Sequence, residues 1–208
     1  EGSVALGRGD TLLGVADVPA HRRHNLELMP AIDRLCAAHG VTPAHVGAVA
    51  VSTGPGGFTG LRIAVATAKM LALVAGARVV AVPTAAVVVA SWGAGAGVRR
   101  VVVWLARKRG TVFATGFERV EGGWAVARPG AVVAEGEARG WGEVVVAPPG
   151  VLAEGEAGVT VTPTAAALWR LGRAAAAAGD WADAWSLEPE YAREPEAVRL
   201  WAERGKGG

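Results

Sequence analysis

The chain is 208 residues long, 51% hydrophobic and 19% charged, enough apolar material for one compact domain or two small ones, which excludes a disordered chain. Its 21 Lys and Arg residues against 19 Asp and Glu leave a net charge of only +2, too small an imbalance to support an electrostatic nucleic-acid binder. Cys36 is the single cysteine, so an intramolecular disulfide is excluded, no zinc-type Cys/His spacing accompanies it, and a reducing cytoplasm fits.

Residues 2–8 and 11–18 read as two antiparallel strands turned at Gly9-Asp10. Asn25 is expected to cap a helix running to about His39, with Leu28, Ile32 and Leu35 on one stripe and Pro30 kinking its second turn. His21 and His24 have no acidic partner that would complete a metal site. Residues 46–52, apolar throughout, predict a strand buried on both faces.

That strand runs into STGPGGFTGLR, residues 52–62. Gly54, Gly56 and Gly57 permit positive φ angles, and a helix starting at Phe58 would turn its free amides toward them, with Thr59 and Arg62 near enough to contact a phosphate or carboxylate. A purely structural turn fits the same residues equally well. No GK[ST] follows and the G-x-G-x-x-G spacing is absent, which excludes both common nucleotide-loop fingerprints.

The helix predicted over 58–75, closed by Gly76, has apolar residues on several sides: Leu61, Val65, Ala68 and Ala72 on one, Ile63, Met70, Leu73 and Val74 on others. Only a narrow polar line through Arg62 and Lys69 remains. More apolar surface is present than one sheet covers, so the helix is either sandwiched within the chain or forms a subunit interface with the 25–39 helix. Thr67 and Lys69 interrupt the run from Ile63 to Ala77, so no membrane span is expected.

A strand at 79–82 completes a β-α-β crossover, and 84–91 reads as a short helix. SWGAGAG, residues 91–97, divides the chain into an N-terminal lobe, 1–92, and a C-terminal lobe, 98–208. The second lobe opens with strands at 100–105, 111–118 and 124–128, and residues 163–178 form an alanine-rich helix with Pro163 in its first turn. The basic clusters at 99–100 and 107–109 read as solvated strand edges, and the eight tryptophans as packing residues. Ser52 and Ser91 lack a base partner, and Asp10, Asp17 and Asp33 make no paired-carboxylate pattern, so no catalytic constellation is legible.

GPGGFTGLRIAVATAK, residues 54–69, closely resembles the signature of the TsaB (YeaZ) family, the partner subunit in bacterial synthesis of threonylcarbamoyladenosine on tRNA. GSVAL near the start, His24-Asn25 with Leu28 and Pro30, VGAVAVSTGPG, VVAVPT and Pro189-Glu190-Tyr191-Ala192-Arg193 extend the likeness over most of the chain. The resemblance implies an α/β, actin-like ATPase (ASKHA) fold of two ribonuclease H-like lobes, with no catalytic and no metal-binding residues. It further implies pairing with a TsaD-like catalytic paralogue or with a second copy, a TsaE-like ATPase in the complex, tRNA reached through the complex, ATP used by the complex, and a cytoplasmic, membrane-free setting.

On this reading Leu28, Ile32, Leu35, Leu61, Val65, Ala68, Lys69 and Ala72 lie at the subunit interface. The alternative is an actin-like ATPase acting alone through the 54–60 loop. A third reading, a tRNA binder in its own right, predicts strongly salt-dependent binding by the chain alone. Three departures from the family stand out: Leu105 where Asp is common, Ala64 where Gly is usual, and no counterpart of the family's first strand ending in Asp-Thr-Ser.

Overall fold

The computed structural model describes residues 2–18, 24–93 and 97–193. Strands β1 (Gly2–Arg8) and β2 (Thr11–Val18) form an antiparallel hairpin through Gly9, whose φ of 57° suits the tight turn. Helix α1 (His24–Ala38) packs on this hairpin, turning Ala31, Leu35 and Cys36 inward. It already includes His24, so Asn25 lies inside the helix and not at its cap.

A short 3-10 turn (Pro43–His45) precedes the expected 46–52 strand, and β3 is Ala48–Gly54, two residues later at each end. Only the distal part of β3 is deeply buried, so it is not the doubly covered strand that its composition predicts. Helix α2 (Phe58–Ala75) crosses to β4 (Arg78–Pro83), parallel to β3, and ends at Gly76 in the left-handed conformation with φ 67°. Helix α3 (Thr84–Ser91) follows directly.

The second lobe is a five-stranded sheet. Strands β5 (Arg100–Lys108), β6 (Thr111–Val120) and β7 (Gly123–Ala134) form an antiparallel meander; α4 (Glu135–Arg139) leads to β8 (Val144–Ala147), parallel to β5, and then to β9 (Val159–Thr160). The order is β7-β6-β5-β8-β9. Strand β7 outruns its expected end at Arg128 because register shifts opposite Gly116 take Pro129 through an edge position that needs no ladder N–H.

The strands of the first lobe follow the same plan. Its hairpin β2-β1 corresponds to β7-β6 and its parallel pair β3-β4 to β8-β9, but among the described residues no strand joins β1 to β3 where β5 stands in the second lobe. Helix α5 (Ala165–Ala177) holds the two halves together. Gly172 lets it close on Ala50 of β3, while Trp169 lies over Gly7 of β1. Its N-cap is Thr164, whose hydroxyl accepts from the Ala167 amide at 3.2 Å, so Pro163 stands outside the helix. A helix from the C-terminal part of the chain thus packs on the strands β1, β3 and β4.

Helix α3 sits between the two sheets and is apolar all round for that reason. Ala85, Val88 and Val89 pack on Val101, Val103 and Leu105 of β5, while Val87 joins Val80, Val82 and Ala167 on the other side. On the far face of the second sheet, the fully buried Trp104 lies beneath Arg107 and Arg139, which bind Glu135 and Glu156.

Candidate functional site

The glycine loop joins the end of β3 to α2 at the edge of the first lobe. Hydroxyls tie it to the neighbouring elements: Ser52 Oγ lies 2.8 Å from Thr84 Oγ1, and buried Thr53 donates to the Val82 carbonyl at 3.4 Å. Of the three loop glycines only Gly54 has a positive φ, 120°, and it follows into a cis peptide with Pro55. Gly56 and Gly57 are exposed, and Gly57 caps α2 without a side-chain hydrogen bond. The expected freedom is thus used at one glycine, not three.

What lies over the loop is the chain's own C-terminal segment. The Glu190 amide donates to the Thr53 carbonyl at 2.7 Å, and a Cβ at Gly54 would collide with the Glu190 carbonyl oxygen. Tyr191 stacks on Phe58 with ring centroids 5.1 Å apart and 28° between planes, and Arg62 lies 5.0 Å from the Phe58 centroid. Partial burial raises the Glu190 carboxyl above the ordinary carboxylate range, although much of the residue stays in solvent. Thr59 is exposed on the first turn of α2, and the residues the structure gathers at the loop are Gly54, Phe58, Arg62 and Tyr191.

Helix α2 has two apolar faces with different fates. Leu61, Val65, Ala68 and Leu71 are buried, with Val65 and Ala68 against Val51 and Val79 of the sheet. Ala184 and Leu187 from the C-terminal segment close over the flank of that cluster. On the opposite side Met70, Leu73 and Val74 are exposed at 39%, 66% and 78%, while Phe58, on the first turn, is 50% exposed beside Tyr191. Lys69 is partly covered and donates to the Trp185 carbonyl at 3.1 Å, leaving the Trp185 ring in solvent.

Leu61, Val65 and Ala68, expected at a subunit contact, are therefore core residues of their own lobe, and Leu35 of α1 is likewise buried. Leu28, Ile32, Lys69 and Ala72 are half-buried. Helical spacing places Ile63, Met70, Leu73 and Val74 on further apolar sides of the helix but does not single out Met70, Leu73 and Val74 as one free face. Over its 18 residues α2 has a mean hydropathy of 1.5, long and apolar enough to span a membrane by length and composition, which corrects the expectation that no segment qualifies. In the fold it lies along β3 and β4.

Among the described residues no three His, Cys, Asp or Glu side chains are arranged to hold a metal ion. His21 lies outside the described residues. Leu105 fills its position as a core residue against Val88 and Phe113, packing where a carboxylate would need a partner.

Two lobes built on one strand plan, with helices between and outside the sheets, define a protein of the actin-like ATPase fold. Solved structures agree. A Pseudomonas aeruginosa protein described as similar to the peptidase YEAZ superposes with a TM-score of 0.73 at 25% identity, covering 92% of this chain and 94% of that one. YeaZ from Pseudomonas aeruginosa gives 0.72 at 23% identity, over 91% and 93%.

Residues 11–127 match the family model "TsaD: tRNA N6-adenosine threonylcarbamoyltransferase", and the chain belongs to that family, on the TsaB (YeaZ) side that its loop signature resembles. A tRNA N6-adenosine threonylcarbamoyltransferase of Anaeromyxobacter dehalogenans is 42% identical over 69 residues, 33% of this chain and 21% of that protein. The tRNA threonylcarbamoyladenosine biosynthesis protein TsaB of Bacillus subtilis is 35% identical over 69 residues, 33% of this chain and 30% of that protein. The matched stretch thus spans less than a third of either relative.

Proposed function

We propose that this chain is a noncatalytic subunit of a complex that forms N6-threonylcarbamoyladenosine in tRNA, and that it works by pairing with a TsaD-like catalytic partner. The observation that carries the reading is the second apolar face of α2, where Met70, Leu73 and Val74 stand in solvent on a helix whose other face is already packed. An apolar stripe left in solvent on a helix whose other face is packed favours a surface that another protein covers. An apolar helix of the partner packing in parallel ridges supplies that cover, with Ala66 allowing close approach.

In this reading a TsaE-like ATPase and tRNA join through the assembled complex, and ATP is consumed there, in the cytoplasm. A second copy of the chain takes the same face when the partner is absent. The rival, an ATPase working alone through the 54–60 loop, predicts turnover by the isolated chain.

The test mixes the purified chain with a TsaD-like protein from the same source. Light scattering is expected to give the mass of a one-to-one pair, and threonylcarbamoyl transfer to tRNA is expected to require both proteins. Unchanged masses on mixing refute the pairing. ATP hydrolysis by the isolated chain at enzymatic rates favours the rival.

A further inference from the structure

The segment over the glycine loop makes contacts at both ends. Ala184 and Leu187, partly buried, pack on the flank of the core cluster beneath α2, Glu190 hydrogen-bonds Thr53, and Tyr191 stacks on Phe58, all in the first lobe. One residue later Ala192 packs against the Val88, Val101 and Phe113 cluster of the second lobe. Arg193 then donates to Thr111 Oγ1 at 2.7 Å and to the Thr111 carbonyl at 3.3 Å. The Thr111 hydroxyl in turn donates to the Lys108 carbonyl at 2.8 Å, so it is fixed in both its roles at the β5-β6 turn.

We infer that residues 187–193 are a clasp, and that the glycine loop is its socket. Three features of the loop fit that task. Gly54, with φ 120° and no Cβ, admits the Glu190 carbonyl, which any side chain there would meet. The uncapped start of α2 at Gly57 is steadied by the Tyr191-Phe58-Arg62 stack instead of by a side-chain cap. The same short stretch then anchors in the second lobe through a charge-assisted hydrogen bond. A strap tied to only one lobe would leave the head of α2 to open by itself; a strap tied to both makes the loop, the first turn of α2 and the β5-β6 turn open together.

Hydrogen exchange followed by mass spectrometry on the full chain tests this. Tyr191→Ala is expected to speed exchange about tenfold or more at residues 53–63 and also at 108–113. Arg193→Ala, made at the other anchor, is expected to speed both stretches too, and Tyr191→Phe, which keeps the ring, to leave both as in the parent. Loss confined to the stretch next to each substitution overturns the clasp and leaves two independent contacts, as does no change in either stretch. Equal loss in Tyr191→Phe and Tyr191→Ala overturns the role of the stack.

Discussion

Replacing Leu73 by Asp separates folding from pairing, because Leu73 is 66% exposed on the outer face of α2. In the isolated chain the substitution removes little buried area, so its cost is about 0.5 kcal/mol, the ordinary size of a surface change. In the pair the loss is larger. Full burial of a leucine is worth about 1.5–3 kcal/mol, of which some two-thirds is gained on docking, and a carboxylate buried without a partner adds several kcal/mol. At 1.4 kcal/mol per decade a total near 4 kcal/mol weakens the pair roughly a thousandfold. Val65→Asp reverses the pattern. Val65 is 3% exposed among Val51, Ala68 and Val79, so that chain is expected to lose about 4 kcal/mol or more of its own stability. Calorimetric titration with the TsaD-like partner and thermal melts of each chain read the two quantities. A Leu73→Asp chain that melts like the parent and still binds with the parent's Kd refutes the assignment of the outer face of α2 as the partner surface.

Gly54→Ala is expected to lower the melting temperature sharply, by the equivalent of roughly 2–4 kcal/mol, since the new Cβ meets the Glu190 carbonyl and the φ of 120° is strained for any L side chain. Gly60→Ala, on α2 with no atom within 4 Å of the added Cβ, is expected to stabilise by about 0.5–1 kcal/mol in the same melts. Glu156 is held below the ordinary carboxylate range, first by the Ala153 amide and then by Arg107. Its folded pKa is depressed, so its contribution is present above the ordinary carboxylate pKa and lost as the pH falls through the folded value; Glu156→Gln is expected to flatten acid unfolding curves in that range. Glu190 has the opposite sign, so Glu190→Gln is expected to raise stability at neutral pH and to make no difference in acid.

The hairpin at Gly9, the β3-α2-β4 crossover and the meander from β5 to β7 are legible in the residues because each is local: a turn glycine, an apolar run and a helix-closing Gly76 lie within a few positions of one another. The short parallel strands β8 and β9 are not, since four and two residues of Val, Ala and Thr carry no periodicity and gain their strand state from the neighbour they pair with. The place of α5 was equally hidden. Its amphipathic sequence says that one face is buried, but only Gly172 against Ala50 and Trp169 against Gly7 show that the face belongs to the first lobe. At the loop, the glycines pointed to close backbone approach, which is found at Gly54; the sequence did not say that the approaching group is the chain's own Glu190. Helical spacing identifies several apolar stripes on α2 but assigns the Leu61, Val65 and Ala68 stripe to a subunit contact where the fold packs it on the sheet, because which stripe meets the sheet depends on the angle at which the loop launches the helix.

That launch angle connects the parts of the molecule. The loop is held between Thr84 and Glu190, so the first turn of α2 is set by contacts from α3 on one side and from the C-terminal segment on the other. A rotation of α2 by one residue, 100° about the axis, would expose part of the Leu61, Val65 and Ala68 row. Packing of that row against Val51 and Val79 resists the rotation from below, and the stack of Tyr191 on Phe58 resists it from the end. The outer stripe of Met70, Leu73 and Val74 is therefore presented in one orientation before any partner arrives. Such preorganisation lowers the ordering cost of association, which is how residues far from any reacting atom set the strength of a complex.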